Sequence, residues 1–142
     1  MFGIVIATDG KFAEGLKDAS EVILGPSKHL EATGLHLGDN VETFGQTIQK
    51  AVLSVNQGEG VLVLVDVKGA SPYNQSLLEQ HQLQDQIEGE YRMISGVNLP
   101  MLLEALNQRL IGTSLEDAVE SIVASGQGAV DVWMEESADD DF

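Results

Sequence analysis

The sequence predicts an α/β domain: a doubly wound, mainly parallel sheet with helices on both faces. Residues 2–7 are an apolar, β-branched run of strand length, and after a short turn the apolar side chains recur at three- and four-residue steps. That change of period is typical of a β-α unit. Farther along, the run from Val61 to Val65 is apolar at every position, which is typical of a parallel strand buried on both faces.

The first half of the chain alternates strands and helices. The first strand leads into a helix over residues 11–24, which a Gly-Pro pair ends. A second strand over residues 29–35 is less apolar, so we place it nearer an edge of the sheet. Asn40 is a candidate N-cap for a second helix, whose apolar residues keep a helical rhythm as far as Val55.

The alternation continues after the buried strand at residues 61–65. Ser71, which precedes a proline, starts a third helix that reaches Leu83. The fourth strand covers residues 91–97, and Asn98 opens a fourth helix. We expect the leucines of this helix to face inward, namely Leu102, Leu103, Leu106 and Leu110.

The C-terminal part adds one helix and one strand. A capping box at residues 113–116 starts a fifth helix, which Gly126 ends. Residues 130–134 alternate apolar and less apolar side chains, so we predict an antiparallel edge strand there. Because this strand would expose an edge and carries Trp133, we also predict a homodimer.

Composition limits the number of domains and the classes of partner. At 142 residues the chain has room for one domain, residues 1–134, followed by an acidic tail, residues 135–142, that we expect to be solvated. Its 23 acidic and 7 basic side chains give a net charge of −16, which disfavours nucleic acid and anionic lipid as partners. The lack of cysteine and of a membrane-length apolar run favours a cytoplasmic protein without membrane insertion.

Several common sites are absent from the sequence. It has no Walker-type phosphate loop, and its Gly-x-Gly pairs lack the third glycine of a dinucleotide loop. Without cysteine, thiolate nucleophiles are excluded. The histidines His29, His36 and His81 lack the spacing of zinc ligands, and we interpret them as ordinary surface or partly buried residues. We therefore predict neither a metal nor a cofactor.

Two loops that follow apolar strands remain as candidates for chemistry. One spans residues 8–11 and carries Asp9, and the other spans residues 66–71, from Asp66 to Ser71. If the two strands are neighbours, both loops flank one crevice. The Ser71 hydroxyl and the free N–H groups of a helix start would suit a phosphate. Asp9 and Ser71 are also common N-cap types, and this structural interpretation stays open.

Four stretches of the chain carry a specific family pattern. They are Gly3-Ile4-Val5-Ile6 with Phe12-Ala13-Glu14-Gly15-Leu16, Glu59-Gly60-Val61-Leu62-Val63-Leu64 with Asp66, Gly69-Ala70-Ser71-Pro72 with Asn74, and Gly96-Val97-Asn98-Leu99-Pro100-Met101-Leu102. Through them the chain resembles the mannose-family enzyme IIA (EIIA) of the bacterial phosphoenolpyruvate:sugar phosphotransferase system. The resemblance covers residues 1–110.

The resemblance implies a dimeric α/β domain whose last strand is exchanged between subunits. In the family, a histidine just after the first strand takes a phosphoryl group from the histidine-containing phosphocarrier protein and passes it to enzyme IIB for sugar uptake. The family's aspartate after the third strand orients that histidine, and this role carries over to Asp66. The serine of the Gly-x-Ser-Pro loop helps to hold the phosphate, and this role carries over to Ser71; Gly10, beside the acceptor position, is the second residue that we expect to bind the phosphate.

The acceptor histidine itself does not carry over, because Asp9 occupies its position. The family pattern reads like Ser-His-Gly where this chain has Thr8-Asp9-Gly10. A carboxylate beside Asp66 adds like charge where a phosphate dianion must arrive. Lys68 stands where the family has an apolar residue, and it is a candidate for charge compensation through pairing with either aspartate.

Three alternatives to a working phosphoryl carrier stay open. One is a catalytically silent homologue that serves as a regulatory or docking subunit. Another is a receiver-like module, in which an aspartate accepts phosphate with magnesium; Asp9 and Asp66 suggest it, but the acidic pair after the first strand is missing. The third is the phosphoryl-donor subunit of dihydroxyacetone kinase, which shares the fold. The sugar is not specified by any of these residues, because specificity belongs to the permease.

Overall fold

Strands and helices alternate along residues 1–135, the part of the chain that the computed structural model describes. Four strands and five helices form within these residues. In chain order they are β1 (Gly3–Asp9), α1 (Phe12–Leu24), β2 (Leu30–Leu35), α2 (Val41–Val55), β3 (Val61–Val65), α3 (Ser71–Leu83), β4 (Tyr91–Ile94), α4 (Leu99–Leu110) and α5 (Leu115–Gly128).

The four strands form one parallel sheet in the order β2-β1-β3-β4. Ile4 on β1 pairs with Leu30 on β2 and with Leu62 on β3. On the far side of β3, Val61 pairs with Tyr91 of β4. The predictions that β2 lies at an edge and that β3 lies inside the sheet are confirmed. Because β1 and β3 are neighbours, the loops that follow them open at the same end of the sheet.

Helices cover both faces of this sheet, as a doubly wound fold requires. The core on one face joins the sheet to α1, α4 and α5, and it includes Ile4, Leu62 and Leu102. The core on the other face joins the sheet to α2 and α3, and it includes Ile48 and Val63. Every side chain of β3 is buried, which explains why that strand is apolar at every position.

Side-chain caps fix the starts of three helices, at Asn40 and Asn98 as the sequence predicts and at Ser114, whereas the predicted capping box is not formed because the Thr113 hydroxyl donates to Oε1 of Gln108. Asn40, Asn98 and Ser114 each accept a hydrogen bond from the backbone N–H three residues later. Each cap satisfies one of the N–H groups that a first helical turn leaves free. Within the described residues, none of the helices combines the length and the apolar character that crossing a membrane requires.

Two predicted boundaries are wrong, and a glycine explains each. β4 ends at Ile94 and not at residue 97, because Gly96 adopts a φ of 79°, which an extended strand does not allow. α5 continues past Gly126, which packs closely on α4 and does not end the helix: a Cβ there would lie 2.7 Å from the Cε of Met101.

Arg109 takes the inward position at the end of α4, where the sequence predicts that Leu110 is buried. The buried guanidinium donates hydrogen bonds to the backbone carbonyls of Phe2, Lys28 and His29. These bonds hold the starts of β1 and β2 against α4, and burial lowers the pKa of Arg109. Leu110 is left exposed, so the prediction that it faces inward is wrong.

The predicted antiparallel edge strand at residues 130–134 is not formed within the chain. Residues 130–135 pair with none of the described strands, and the side chain of Trp133 is 84% exposed. A strand needs a hydrogen-bonding partner along its length, and this segment leaves α5 without joining the sheet. Its exchange between subunits stays a prediction. Most of the predicted acidic tail, residues 136–142, lies outside the described residues.

Candidate functional site

Two carboxyl groups meet where β1 and β3 end. Asp9 is the last residue of β1, and Asp66 follows directly after β3. The backbone N–H of Asp9 donates a hydrogen bond of 2.8 Å to Oδ2 of Asp66, and the N–H of Val67 donates one of 2.9 Å to Oδ1. Backbone donors therefore hold both oxygens of Asp66, which fixes this carboxylate beside the loop after β1.

The proximity of the two carboxyl groups changes the titration of Asp9. Partial burial raises the pKa of Asp9, and the negative charge of Asp66 and a hydrogen bond with its side chain raise that pKa further. The crevice therefore disfavours additional negative charge at position 9.

Thr8, and not Asp9, connects β1 to α1. The buried Thr8 hydroxyl accepts a hydrogen bond of 2.8 Å from the N–H of Ala13, whereas Lys11, the N-cap residue of α1, makes no side-chain cap. The interpretation of Asp9 as an N-cap is therefore wrong. Side chains alternate between the two faces of a strand, so Thr8 faces α1 while Asp9 faces the other side.

Ser71 lies at the start of α3, after the loop that begins at Asp66. The N-cap of α3 is Ala70, which has no side-chain donor or acceptor, so the interpretation of Ser71 as an N-cap is also wrong. Among residues 1–135, the half-buried Ser71 hydroxyl makes no hydrogen bond. A free hydroxyl beside the open N–H groups of a helix start is a suitable donor set for a phosphate.

Lys68 lies on the same loop, with its side chain exposed. It forms no ion pair with Asp9 or Asp66 in the part of the chain that the structure describes. The predicted charge compensation is therefore absent from this arrangement. An ion pair exposed to water contributes little free energy, so pairing of the Lys68 ammonium group with either carboxylate would be only weakly favourable.

The loop after β2 borders this end of the sheet on the other side of β1. The N–H of Gly10 donates a hydrogen bond of 2.8 Å to the carbonyl of Leu35, and a Cβ at Gly34 would collide with the carbonyl oxygen of Gly10. The turn after β1 is therefore packed directly against the end of β2. His36 follows at this point, and its Nε2 lies 4.0 Å from Oε1 of Glu14 in the first turn of α1.

Sequence reasoning missed His36 and a group of exposed apolar side chains at this end of the molecule. The sequence gives His36 the pattern of an ordinary histidine, although its position directly after a predicted strand is a usable signal. The exposed side chains, which we call the apolar rim, are Phe12, Leu37 and Val67. They lie in the loops after β2 and β3 and at the start of α1. Grouped apolar side chains around a polar crevice are typical of a surface that a partner covers.

The chemistry of the crevice between β1 and β3 follows from its groups. Asp9 and Asp66 place two carboxyl groups there, and the Ser71 hydroxyl with the backbone N–H groups of the α3 start lies at the same end of the sheet. Groups of these kinds can orient a polar ligand and donate to phosphate oxygens. No group of three or more side chains suited to a metal ion occurs within residues 1–135. With Asp9 at the end of β1, the crevice has no imidazole on that strand to form a phosphohistidine.

Comparisons with known proteins place the chain among phosphotransferase components. A family model described as the PTS system fructose IIA component matches residues 3–123. The chain is 31% identical over 137 residues to the PTS system fructose-specific EIIA component of Bacillus subtilis strain 168, which covers 95% of this chain and 88% of that protein. It is 33% identical over 131 residues to the PTS system mannose-specific EIIAB component of Escherichia coli strain K12. That alignment covers 89% of this chain but 38% of the longer relative.

Solved structures agree with this likeness at the level of the fold. The phosphotransferase system component EIIA from Streptococcus agalactiae matches with a TM-score of 0.81 at 24% sequence identity, over 93% of this chain and 97% of that one. The parallel four-stranded sheet with helices on both faces is thus an arrangement that this solved structure shares.

Proposed function

The chain belongs to the mannose- and fructose-type EIIA family of the phosphotransferase system, and we propose that it relays phosphoryl groups in a system of this kind. It takes the group from the histidine-containing phosphocarrier protein and passes it to an EIIB component during sugar uptake. The observation that carries this proposal is the family match over residues 3–123, which includes the whole crevice between β1 and β3. The substrate class is a sugar such as those in the names of the fructose- and mannose-specific relatives.

In this proposal the crevice positions the phosphohistidine that the carrier protein presents. Asp66 orients it, a role supported by the two backbone donors that fix the Asp66 carboxylate. Ser71 holds a phosphate oxygen, which is supported by its free hydroxyl at the start of α3; the N–H of Gly10, also expected to bind the phosphate, already donates to the Leu35 carbonyl. Asp9 occupies the acceptor position without acting as a nucleophile, because its pairing with Asp66 disfavours additional negative charge there.

The carrier protein docks on the apolar rim in this proposal. Phe12 and Val67 are about half exposed and Leu37 is fully exposed, so their burial by a partner would be favourable. Phe12 starts the helix after Asp9, and Val67 follows Asp66 directly. A partner seated on the rim therefore covers the crevice.

A second function is favoured by one specific observation, the aspartate at position 9. A subunit that binds the carrier but has no acceptor would be a docking or regulatory component. Both functions require carrier binding. They differ in whether the phosphoryl group of phosphoenolpyruvate, followed as a radiolabel, passes through this chain to EIIB and on to sugar.

Binding of the unphosphorylated carrier protein, measured by calorimetry, tests what both functions share. Phe12→Ser and Val67→Ser are each expected to weaken binding by about tenfold, because each removes apolar area from the docking surface. Leu110→Ser is the matched control: Leu110 is equally apolar and 83% exposed, but it lies at the opposite end of the sheet. Failure of the chain to bind the carrier, or equal loss in all three variants, would contradict the proposal.

A further inference from the structure

The three histidines of the chain lie at different ends of the sheet. His29 directly precedes β2, at the end where Arg109 binds its carbonyl. His81 lies in the last turn of α3, which also leads back to that end. His36 directly follows β2. It is therefore the one histidine at the end that carries Asp9 and Asp66.

His36 lies immediately beside position 9. Asp9 pairs with Leu35 in the register of β1 and β2, so His36 is the next residue along the neighbouring strand. Gly10, in the turn after β1, is in direct contact with Gly34 and Leu35 at the end of β2. The His36 ring lies on the α1 side of β2, near Glu14, whereas the Asp9 side chain faces the other side, so the two side chains share this end of the sheet but not a face.

Hydrogen bonds hold the backbone of His36, and a carboxylate lies near its ring. Its N–H donates a hydrogen bond of 2.8 Å to Oδ2 of Asp39, and the N–H of Asp39 donates one of 3.0 Å to the His36 carbonyl. The side chain is 44% exposed, with Nε2 4.0 Å from Oε1 of Glu14. A carboxylate that faces one ring nitrogen favours the proton on that nitrogen and leaves a lone pair on the other. His36 and Glu14 thus form an accessible imidazole–carboxylate pair with Nδ1 available as a nucleophile.

We propose that His36 is the phosphoacceptor of this chain, in place of the side chain at position 9. The inference rests on the proposed relay function and names the residue that performs it. Nδ1 of the neutral His36 ring attacks the phosphorus of the carrier's phosphohistidine. A new N–P bond forms as the carrier's N–P bond breaks, and the carrier's imidazole leaves with the electron pair of that bond. The donor ring loses the positive charge that the His36 ring gains, so no proton is released.

Glu14 is a positioning residue in this step. When the His36 ring becomes positive, its Nε2–H donates to the Glu14 carboxylate, and the pair closes from 4.0 Å to hydrogen-bonding distance. The fully exposed Leu37 follows His36, and Phe12 lies in the same helical turn as Glu14. Docking on the apolar rim thus brings the carrier's phosphohistidine over this pair.

Radiolabel transfer from phosphoenolpyruvate through the two general phosphotransferase proteins tests the inference on the full chain. The unmodified chain is expected to take up an acid-labile, alkali-stable label, and His36→Gln is expected to reduce it to background. His29→Gln and His81→Gln are matched controls that keep the label. Glu14→Gln is expected to slow labelling by about tenfold or more without lowering its final extent, which a purely structural role would not produce.

Calorimetric binding of the carrier to the same variants separates the inference from the function on which it rests. Normal binding of the unmodified chain without any label would overturn the role of His36 and leave a docking subunit. A label that persists in His36→Gln, or a hydroxylamine-labile acyl phosphate, would also overturn it. Absence of both binding and label would contradict the proposed function itself. Equal melting temperatures of His36→Gln and the unmodified chain would establish that a lost label is not lost folding.

Discussion

The backbone N–H of Asp9 and Oδ2 of Asp66 form a 2.8 Å hydrogen bond across the ends of two adjacent strands. This bond fixes the Asp66 carboxylate beside a residue that is itself acidic. The pKa of Asp9 is raised as a result of burial and of the charge of Asp66. At this end of the sheet, ionised Asp9 is therefore destabilised by its repulsion from the Asp66 carboxylate.

Asp9→Asn is expected to stabilise the protein at neutral pH. Because the folded-state pKa of Asp9 is raised, its contribution to stability is fully present below the pKa of the unfolded state and is lost as pH rises through the folded-state pKa. Asparagine stays neutral, so the gain in the free energy of unfolding grows with pH, up to about 1 kcal/mol for this exposed pair. Urea unfolding at a series of pH values measures it. Asp18→Asn, an exposed change on α1, is the control, and an equal gain there would assign the effect to net charge alone.

Glu79→Gln is expected to stabilise the protein for a related reason. Glu79 is 6% exposed on α3, its Oε2 has no hydrogen-bond partner among the described residues, and burial raises its pKa. The stability of the unmodified protein should therefore fall as pH rises through the folded-state pKa of Glu79. The variant should gain about 1 kcal/mol above that pH and little below the unfolded-state pKa. The exposed change Glu120→Gln is the control, and a gain that does not vary with pH would contradict this account.

Sequence periodicity predicts those parts of the fold that depend on local signals. The uniformly apolar β3 and the caps Asn40 and Asn98 are local, and they are confirmed. The sequence predicts that Asp9 and Asp66 meet only if β1 and β3 are neighbours, and the strand order of the sheet supplies that condition.

Other features depend on contacts between residues far apart in the sequence. Arg109 is buried because three carbonyls from the distant starts of β1 and β2 meet its guanidinium, and helical spacing gave no sign of them. The Thr8 hydroxyl accepts a hydrogen bond from the N–H of Ala13 because Thr8 is on the face of β1 that meets α1. Asp9, one residue later, is on the opposite face, so it does not form the cap that the sequence suggests. Residues 130–134 alternate like a strand but have no partner within the chain.

Deletion of residues 129–142 is expected to convert a homodimer into a monomer. The side chains of Val130, Val132, Trp133 and Met134 are more than three-quarters exposed, and β4 leaves one edge of the sheet open. Exchange of this segment between two chains would pair that edge and cover these side chains. Sedimentation at micromolar concentration measures the assembly, with deletion of residues 136–142 alone as the control. A monomeric full chain, or a dimer that survives the longer deletion, would contradict the exchange.

Asp9→His, made together with His36→Gln, is expected to place a phosphoacceptor at the end of β1. Asp66 is held by two backbone donors beside this position, so it can accept a ring N–H and orient the imidazole. The free Ser71 hydroxyl at the start of α3 is available to the phosphate. The change also removes the repulsion between the two aspartates. Lys68 forms no ion pair with Asp66 in the described structure.

Label transfer from phosphoenolpyruvate compares this double variant with His36→Gln alone. The double variant should gain an acid-labile label that the single variant lacks. Adding Asp66→Asn as a third change should slow this labelling by about tenfold or more, because an asparagine orients the ring without stabilising its positive charge. If the double variant binds the carrier and folds normally but stays unlabelled, the crevice lacks more than a nucleophile. In that case the orienting role of Asp66 and the phosphate-holding role of Ser71 are both wrong for this chain.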